Sequence, residues 1–194
     1  MISKKMLLPV FILVALVQLF VPAKMIWDRE DILKTGTEYK FETAPVDPSD
    51  PFRGKYIILR YVENTVSVNN TDEWKRGDVV YAIFIIDENG YAKIESISKE
   101  KPSNKEEYLK TKVNYITGNP ANNLILDFPF DRFYMEESKA KPAEDLYMES
   151  QRNIDNMTYA LVSIKDGDAV LKDVIIDDKS IKEIVKESQA SGKG

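Results

Sequence analysis

From Met6 to Val21 the chain is apolar on every face of any helix it could form, with only Pro9 and Gln18 interrupting. With Pro22 and Ala23 the run is about 18 residues, which at about 1.5 Å per residue spans roughly 27 Å, close to the hydrocarbon thickness of a bilayer. A buried soluble helix rarely stays apolar all round for so long. The pattern therefore predicts a transmembrane anchor over residues 6–23, preceded by a short arm, 1–5, that carries Lys4 and Lys5. The competing reading is a secretory signal cleaved near Ala23, with Val21 two positions earlier. Pro22 directly before the cut residue, and the bulky Met25-Ile26-Trp27 after it, argue against that site. Met25, Ile26, Ile32 and Leu33 recur at near-helical spacing, so a helical stalk is expected over 24–36, with Gly36 in a left-handed cap.

Beyond Thr37 the period changes from that of a helix to that of a strand. Thr37 to Thr43 alternates, with Tyr39 and Phe41 on one face. The turn Asp47-Pro48-Ser49-Asp50-Pro51 then leads through Gly54 into Lys55–Tyr61. Tyr56 and Ile58 would point one way, and Ile57, Leu59 and Tyr61 the other. Apolar on both faces, this strand is expected at the centre of a sheet. Val79 to Ile86 reads as a buried-type strand, Asp87-Glu88-Asn89-Gly90 as a hairpin turn, and Tyr91 to Ser98 as the returning strand.

The end of the chain repeats this text. Within Thr158 to Val174, Tyr159-Ala160 matches Tyr81-Ala82, Gly167 takes the part of Gly90, and Ala169 that of Ala92. Upstream, Leu124-Ile125-Leu126-Asp127-Phe128 resembles Ile57-Ile58-Leu59-Arg60-Tyr61, and Lys112 to Thr117 stands for Thr37 to Thr43. Residues 37–179 are accordingly expected to form a mainly β domain of two related antiparallel units, about 37–100 and 111–179, packed together. Between the later strands, Pro142 with Glu144 and Asp145 marks a helix start. Over 180–194, Ser180 and Glu183 predict a capping box opening a short helix, with a disordered tail from Ser188.

Composition narrows the chemistry. The 194 residues include 43% hydrophobic positions, enough for a core, and carry a net charge of -5 without a basic stripe, which argues against nucleic acid as a partner. Histidine and cysteine are both absent. Thiol catalysis, disulfides and histidine general bases are thereby excluded, as are the usual zinc sites. No phosphate loop, dinucleotide fingerprint, serine elbow or calcium loop occurs, so neither a cofactor nor a metal is expected.

Gly54-Lys55-Tyr56-Ile57-Ile58-Leu59-Arg60-Tyr61 resembles the signature that names the GDYXXLXY protein family, through Gly54, Tyr56, Leu59 and Tyr61. Leu33 to Thr37, Ala44 to Pro48, and Leu126 to Glu137 with its Asp131-Arg132-Phe133-Tyr134 are similar to neighbouring blocks of that family. The signature aspartate is Lys55 here, which suits a structural role for the position better than a catalytic one. The resemblance implies a membrane-anchored bacterial protein, often encoded beside polytopic membrane proteins, and brings no activity with it.

Asp47, Asp50 and Arg53 lie before the signature strand, and Asp131 and Arg132 follow its counterpart. A pseudo-two-fold packing of the two units would bring these loops together as a polar recognition patch. Turn chemistry, with aspartates capping amides and arginines pairing with them, accounts for the same residues more simply. The expected protein is a non-enzymatic, single-pass module of the cytoplasmic membrane. Its N-terminus is inside and its domain outside, facing a polytopic membrane partner. The alternative is an extracytoplasmic hydrolase or small-ligand binder with a polar site where the two units meet.

Overall fold

The computed structural model describes residues 4–44, 56–103, 107–118, 122–152 and 157–190. One helix, α1 (Lys4–Thr35), runs through the expected anchor and stalk without a break. Among the described residues it is the one helix long and apolar enough to cross a membrane. Its large apolar side chains from Leu8 to Trp27 are exposed. Strands β1 (Thr37–Ala44), β2 (Tyr56–Ile58) and β3 (Arg60–Tyr61) follow, then a 3₁₀ turn over Val62–Asn64 and β4 (Thr65–Ser67). The chain continues through β5 (Val79–Ile86), β6 (Ala92–Ser98), β7 (Tyr108–Thr117), β8 (Asn123–Leu126) and β9 (Arg132–Tyr134). Helix α2 (Glu137–Arg152), β10 (Thr158–Lys165), β11 (Asp168–Ile176), β12 (Lys179–Ser180) and α3 (Ile181–Ala190) complete it.

The protein is mainly β, as its alternating text implies. Among the described residues the strands form antiparallel sheets in the orders β12-β11-β10-β1-β3 and β4-β8-β7-β5-β6, with β2 and β9 as a separate pair. The aromatic centre of the core is Phe41, fully buried and edge-on to Phe84 at 5.2 Å and Phe128 at 5.7 Å. Phe130 lies 5.0 Å from it.

The sheets are not built one from each unit. β1 pairs with β10, placing Phe41 opposite Ala160. β7 pairs with β5, placing Leu109 opposite Ala82. Each leading strand therefore lies beside the hairpin of the other unit. The two hairpins carry bulges at matching places, Ile83/Phe84 and Leu161/Val162. This register puts Leu109 to Thr111 in the place of Phe41 to Thr43, which corrects the expectation that Lys112 to Thr117 stands there. Apolar alternation repeats every two residues, so text alone leaves such a match free to slide.

Four further expectations change. The signature strand is not central. It breaks at Leu59, whose N–H donates to the Asp131 carbonyl at 2.8 Å; among the described residues β2 pairs with β9 alone, and β3 closes the end of a sheet beside β1. Ile57, Leu59 and Tyr61 are buried, whereas the other face is half covered, with Tyr56 against the exposed Tyr134 ring at 5.4 Å. Gly36 does not take the left-handed conformation. Its place is fixed by close approach, since a Cβ there would meet the carbonyl oxygens of Ile32 at 2.6 Å and Ile164 at 2.9 Å.

α2 begins at Glu137 and holds Pro142 inside it. Proline has no N–H, so the Ser138 carbonyl loses its helix donor. Gln189 Nε2 of α3 donates to that carbonyl at 3.1 Å. Finally, α3 continues to Ala190, so the expected tail is helical over 188–190, and 191–194 lie outside the described residues. Ser180 caps this helix by accepting the Lys182 N–H at 3.2 Å.

The helix end is fastened to the β domain. Arg29 Nη1 donates to the Ala169 carbonyl at 2.9 Å, and Lys165 Nζ reaches Asp31 Oδ2 at 2.6 Å and Thr35 Oγ1 at 2.7 Å. Ile32 is buried beneath these contacts.

Candidate functional site

The breaks in the two matched strands open a cleft of about 380 Å³ between Ile58–Tyr61 and Leu126–Asp131. Its apolar floor is Leu59, Tyr61, Leu126 and Phe128, and its polar rim is Arg60, Asn64, Asn114, Asp127 and Asp131. Arg60 and Asp127 occupy matching positions. β3 pairs Arg60 with Ala44 on β1, and the Asp127 N–H donates to the Lys112 carbonyl on β7 at 2.9 Å. One position thus carries a cation in the first unit and an anion in the second, both on one cleft.

The floor is rigid. Tyr61 Oη donates to the Phe130 carbonyl at 2.7 Å, and burial pushes its phenol well above the ordinary tyrosine value, which keeps it a neutral donor. Thr111 Oγ1 donates to the Asp127 carbonyl at 2.5 Å. Asp131 is half-buried. Burial pushes its carboxyl above the ordinary range, Arg132 opposes this, and Asp127 adds to it. A carboxylate poised in this way is suited to holding a proton or accepting a ligand's hydrogen bond.

Asp131 and Arg132 are neighbours with different surroundings. Arg132 Nε stands 3.9 Å from Asp131 Oδ1, an open contact between half-exposed groups. The Arg132 guanidinium lies over the Tyr56 ring at 5.2 Å and is not among the cleft-lining residues. Asp47, Asp50, Arg53, Gly54 and Lys55 lie outside the described residues. Of the signature positions, Leu59 and Tyr61 are core, and the Tyr56 ring lies tilted against that of Tyr134.

Arg60, Asn64, Asn114 and Asp127 are the rim residues that sequence reasoning missed. The signal for two of them was present, because aligning Ile57–Tyr61 with Leu124–Phe128 sets Arg60 against Asp127. Nothing in the text marks Asn64 or Asn114. Among the described residues no three metal-ligating side chains converge. The rim offers one guanidinium, two carboxylates and two carboxamides, a set able to hold a small polar ligand by hydrogen bonds.

One protein family, described as GDYXXLXY protein, matches residues 18–174 of the chain. No curated protein and no solved structure matches it.

Proposed function

The chain belongs to the GDYXXLXY protein family, and we propose that it is a membrane-tethered binding module without catalytic activity. In this reading α1 stays in the bacterial cytoplasmic membrane, with Lys4 and Lys5 inside. The β domain works on the extracytoplasmic side, against an integral membrane partner. The observation that carries the reading is the junction of α1 with the β10–β11 hairpin through Arg29, Asp31 and Lys165. A helix that exposes apolar side chains along its length is thereby continued as a fixed strut into the domain, so the domain is held at a set distance from the bilayer. These contacts lie after Ala23, so retention of the span itself rests on its length, on Pro22 beside the cut and on the unbroken helix across residues 21–27.

Two experiments test this. Protease added to intact spheroplasts should digest the domain; digestion only in broken cells would overturn the orientation. Full-length protein captured from detergent-solubilised membranes should bring down a specific membrane protein, and recovery of nothing beyond an empty-tag control would remove the binding reading.

The cleft supports a second reading, a small-ligand binder or hydrolase, because the Asp131 carboxyl is held above its ordinary range there. Asp131→Asn keeps the shape and removes the acid. If ligand capture or turnover by the purified domain were found and survived this change, the cleft would not be its site.

A further inference from the structure

Gln18 is the one hydrogen-bonding side chain between Leu8 and Val21, and it is exposed. Met6, which opens the apolar run, lies twelve residues before it, and Ala23, which closes it, five after. At about 1.5 Å per residue these are roughly 18 and 8 Å, so a spanning α1 puts Gln18 inside the hydrocarbon, in the half nearer the domain. The side chains one turn away, Val14, Ala15, Val21 and Pro22, offer its carboxamide no partner. Pro22 adds a second unmet group. It sits inside α1, four residues on, and has no N–H, so the main-chain carbonyl of Gln18 loses its helix donor. One residue therefore presents a free donor and a free acceptor where lipid supplies neither.

The folded domain already satisfies such a carbonyl in one particular way. Pro142 frees the Ser138 carbonyl, and the carboxamide of Gln189, from a neighbouring helix, donates to it at 3.1 Å. We propose that two copies of the chain pair in the membrane through α1, the Gln18 carboxamide of each donating to the Gln18 carbonyl of the other. A parallel pair about a two-fold axis sets Gln18 against Gln18 at equal depth, so each copy supplies what the other lacks. Ala15 and Pro22, three and four residues away, share this helix face, and the small Ala15 allows the backbones to approach. The occupant is a second copy because the two groups are complementary under that symmetry. This pairing rests on the reading of α1 as a retained span.

The chain has no cysteine, so Asn69→Cys, on an exposed position of the β domain, carries a donor or an acceptor dye on full-length protein. The labelled copies are mixed in phosphatidylethanolamine–phosphatidylglycerol vesicles. Energy transfer should appear and fall as lipid is added. Gln18→Leu should need about tenfold more protein per lipid for the same transfer. Pro22→Ala, which returns a donor to the carbonyl, should weaken pairing by less. Ala15→Cys should give a disulfide-linked dimer on oxidation. Equal transfer by the parent and Gln18→Leu would overturn the proposal, as would no transfer from protein that resists carbonate extraction. Protein stripped off by carbonate would instead remove the retained-span reading, and the pairing with it.

Discussion

Asp31 of α1 and Lys165 of β10, 134 residues apart, meet at 2.6 Å. Around this contact the helix and the domain become one body. The hydrogen bond from Lys165 is the main reason that the Asp31 carboxyl is held below its ordinary value of 3.8, and the same bond raises Lys165 above 10.5.

The sign of each shift sets a pH window for the junction. A lowered carboxyl contributes above the unfolded value and is lost as pH falls through the folded one; a raised amine contributes below its unfolded value and is lost as pH rises through the folded one. The junction should therefore hold across neutral pH and loosen at both extremes. Limited proteolysis near Thr35–Thr37 should be slow at pH 7 and faster for Lys165→Met at that pH. Equal cleavage of the two proteins would show that the ion pair does not hold the junction.

Gly36→Ala tests the close approach beneath the same contact. A Cβ at 2.6 Å from the Ile32 carbonyl and 2.9 Å from that of Ile164 meets backbone on both sides, so the helix must shift. A loss of about 1–3 kcal/mol is expected from urea unfolding, the range for overpacking. An unchanged midpoint would mean that the helix end can move away freely.

The proline-freed carbonyl of α2 offers a double-mutant cycle. Gln189→Ala should cost about 0.5–1.5 kcal/mol, because the Ser138 carbonyl loses its donor. With Pro142→Ala in place, the same change should cost less, since residue 142 then supplies an N–H. Additive losses in urea unfolding would show the two sites to be uncoupled.

Asp131→Asn should raise stability at neutral pH. Burial raises this carboxyl, so folding favours its protonated form, and stability falls as pH rises through the carboxylate range. The uncharged amide escapes that penalty. The difference between variant and parent should appear at pH 7 and vanish near pH 3. A loss of stability at pH 7 would point instead to a hydrogen bond made by the ionised form.

The elements that could be read in advance are those whose reason is local. The apolar run of α1 and the alternation of β1, β5 and β10 need nothing beyond period and length. The turn at Asp87–Gly90 is stated in its own residues: Asp87 Oδ1 accepts the Asn89 and Tyr91 N–H groups, each at 2.9 Å, and Gly90 has φ +85. Readings that depended on what a segment packs against went astray. Lys55–Tyr61 has the text of a central strand, yet it breaks at Leu59 because Asp131 accepts that N–H. Pro142 reads as a helix start, yet α2 opens five residues earlier because Gln189 on another helix satisfies the carbonyl that the proline frees.

The cleft follows the same division. Asp131 was legible as a turn aspartate, and its half-buried place on the same cleft as Arg60 was not. By itself the sequence determined an apolar helix, a mainly β domain and two units of matching text, because hydrophobic period and turn chemistry act over a few residues. Only the tertiary structure decided that each leading strand lies beside the other unit's hairpin, that Arg60 and Asp127 share one cleft, and that Asp31 finds Lys165. Those pairings join residues far apart in the chain, and strand register, which the alternating text leaves free to slide, is settled only when both partners are buried together.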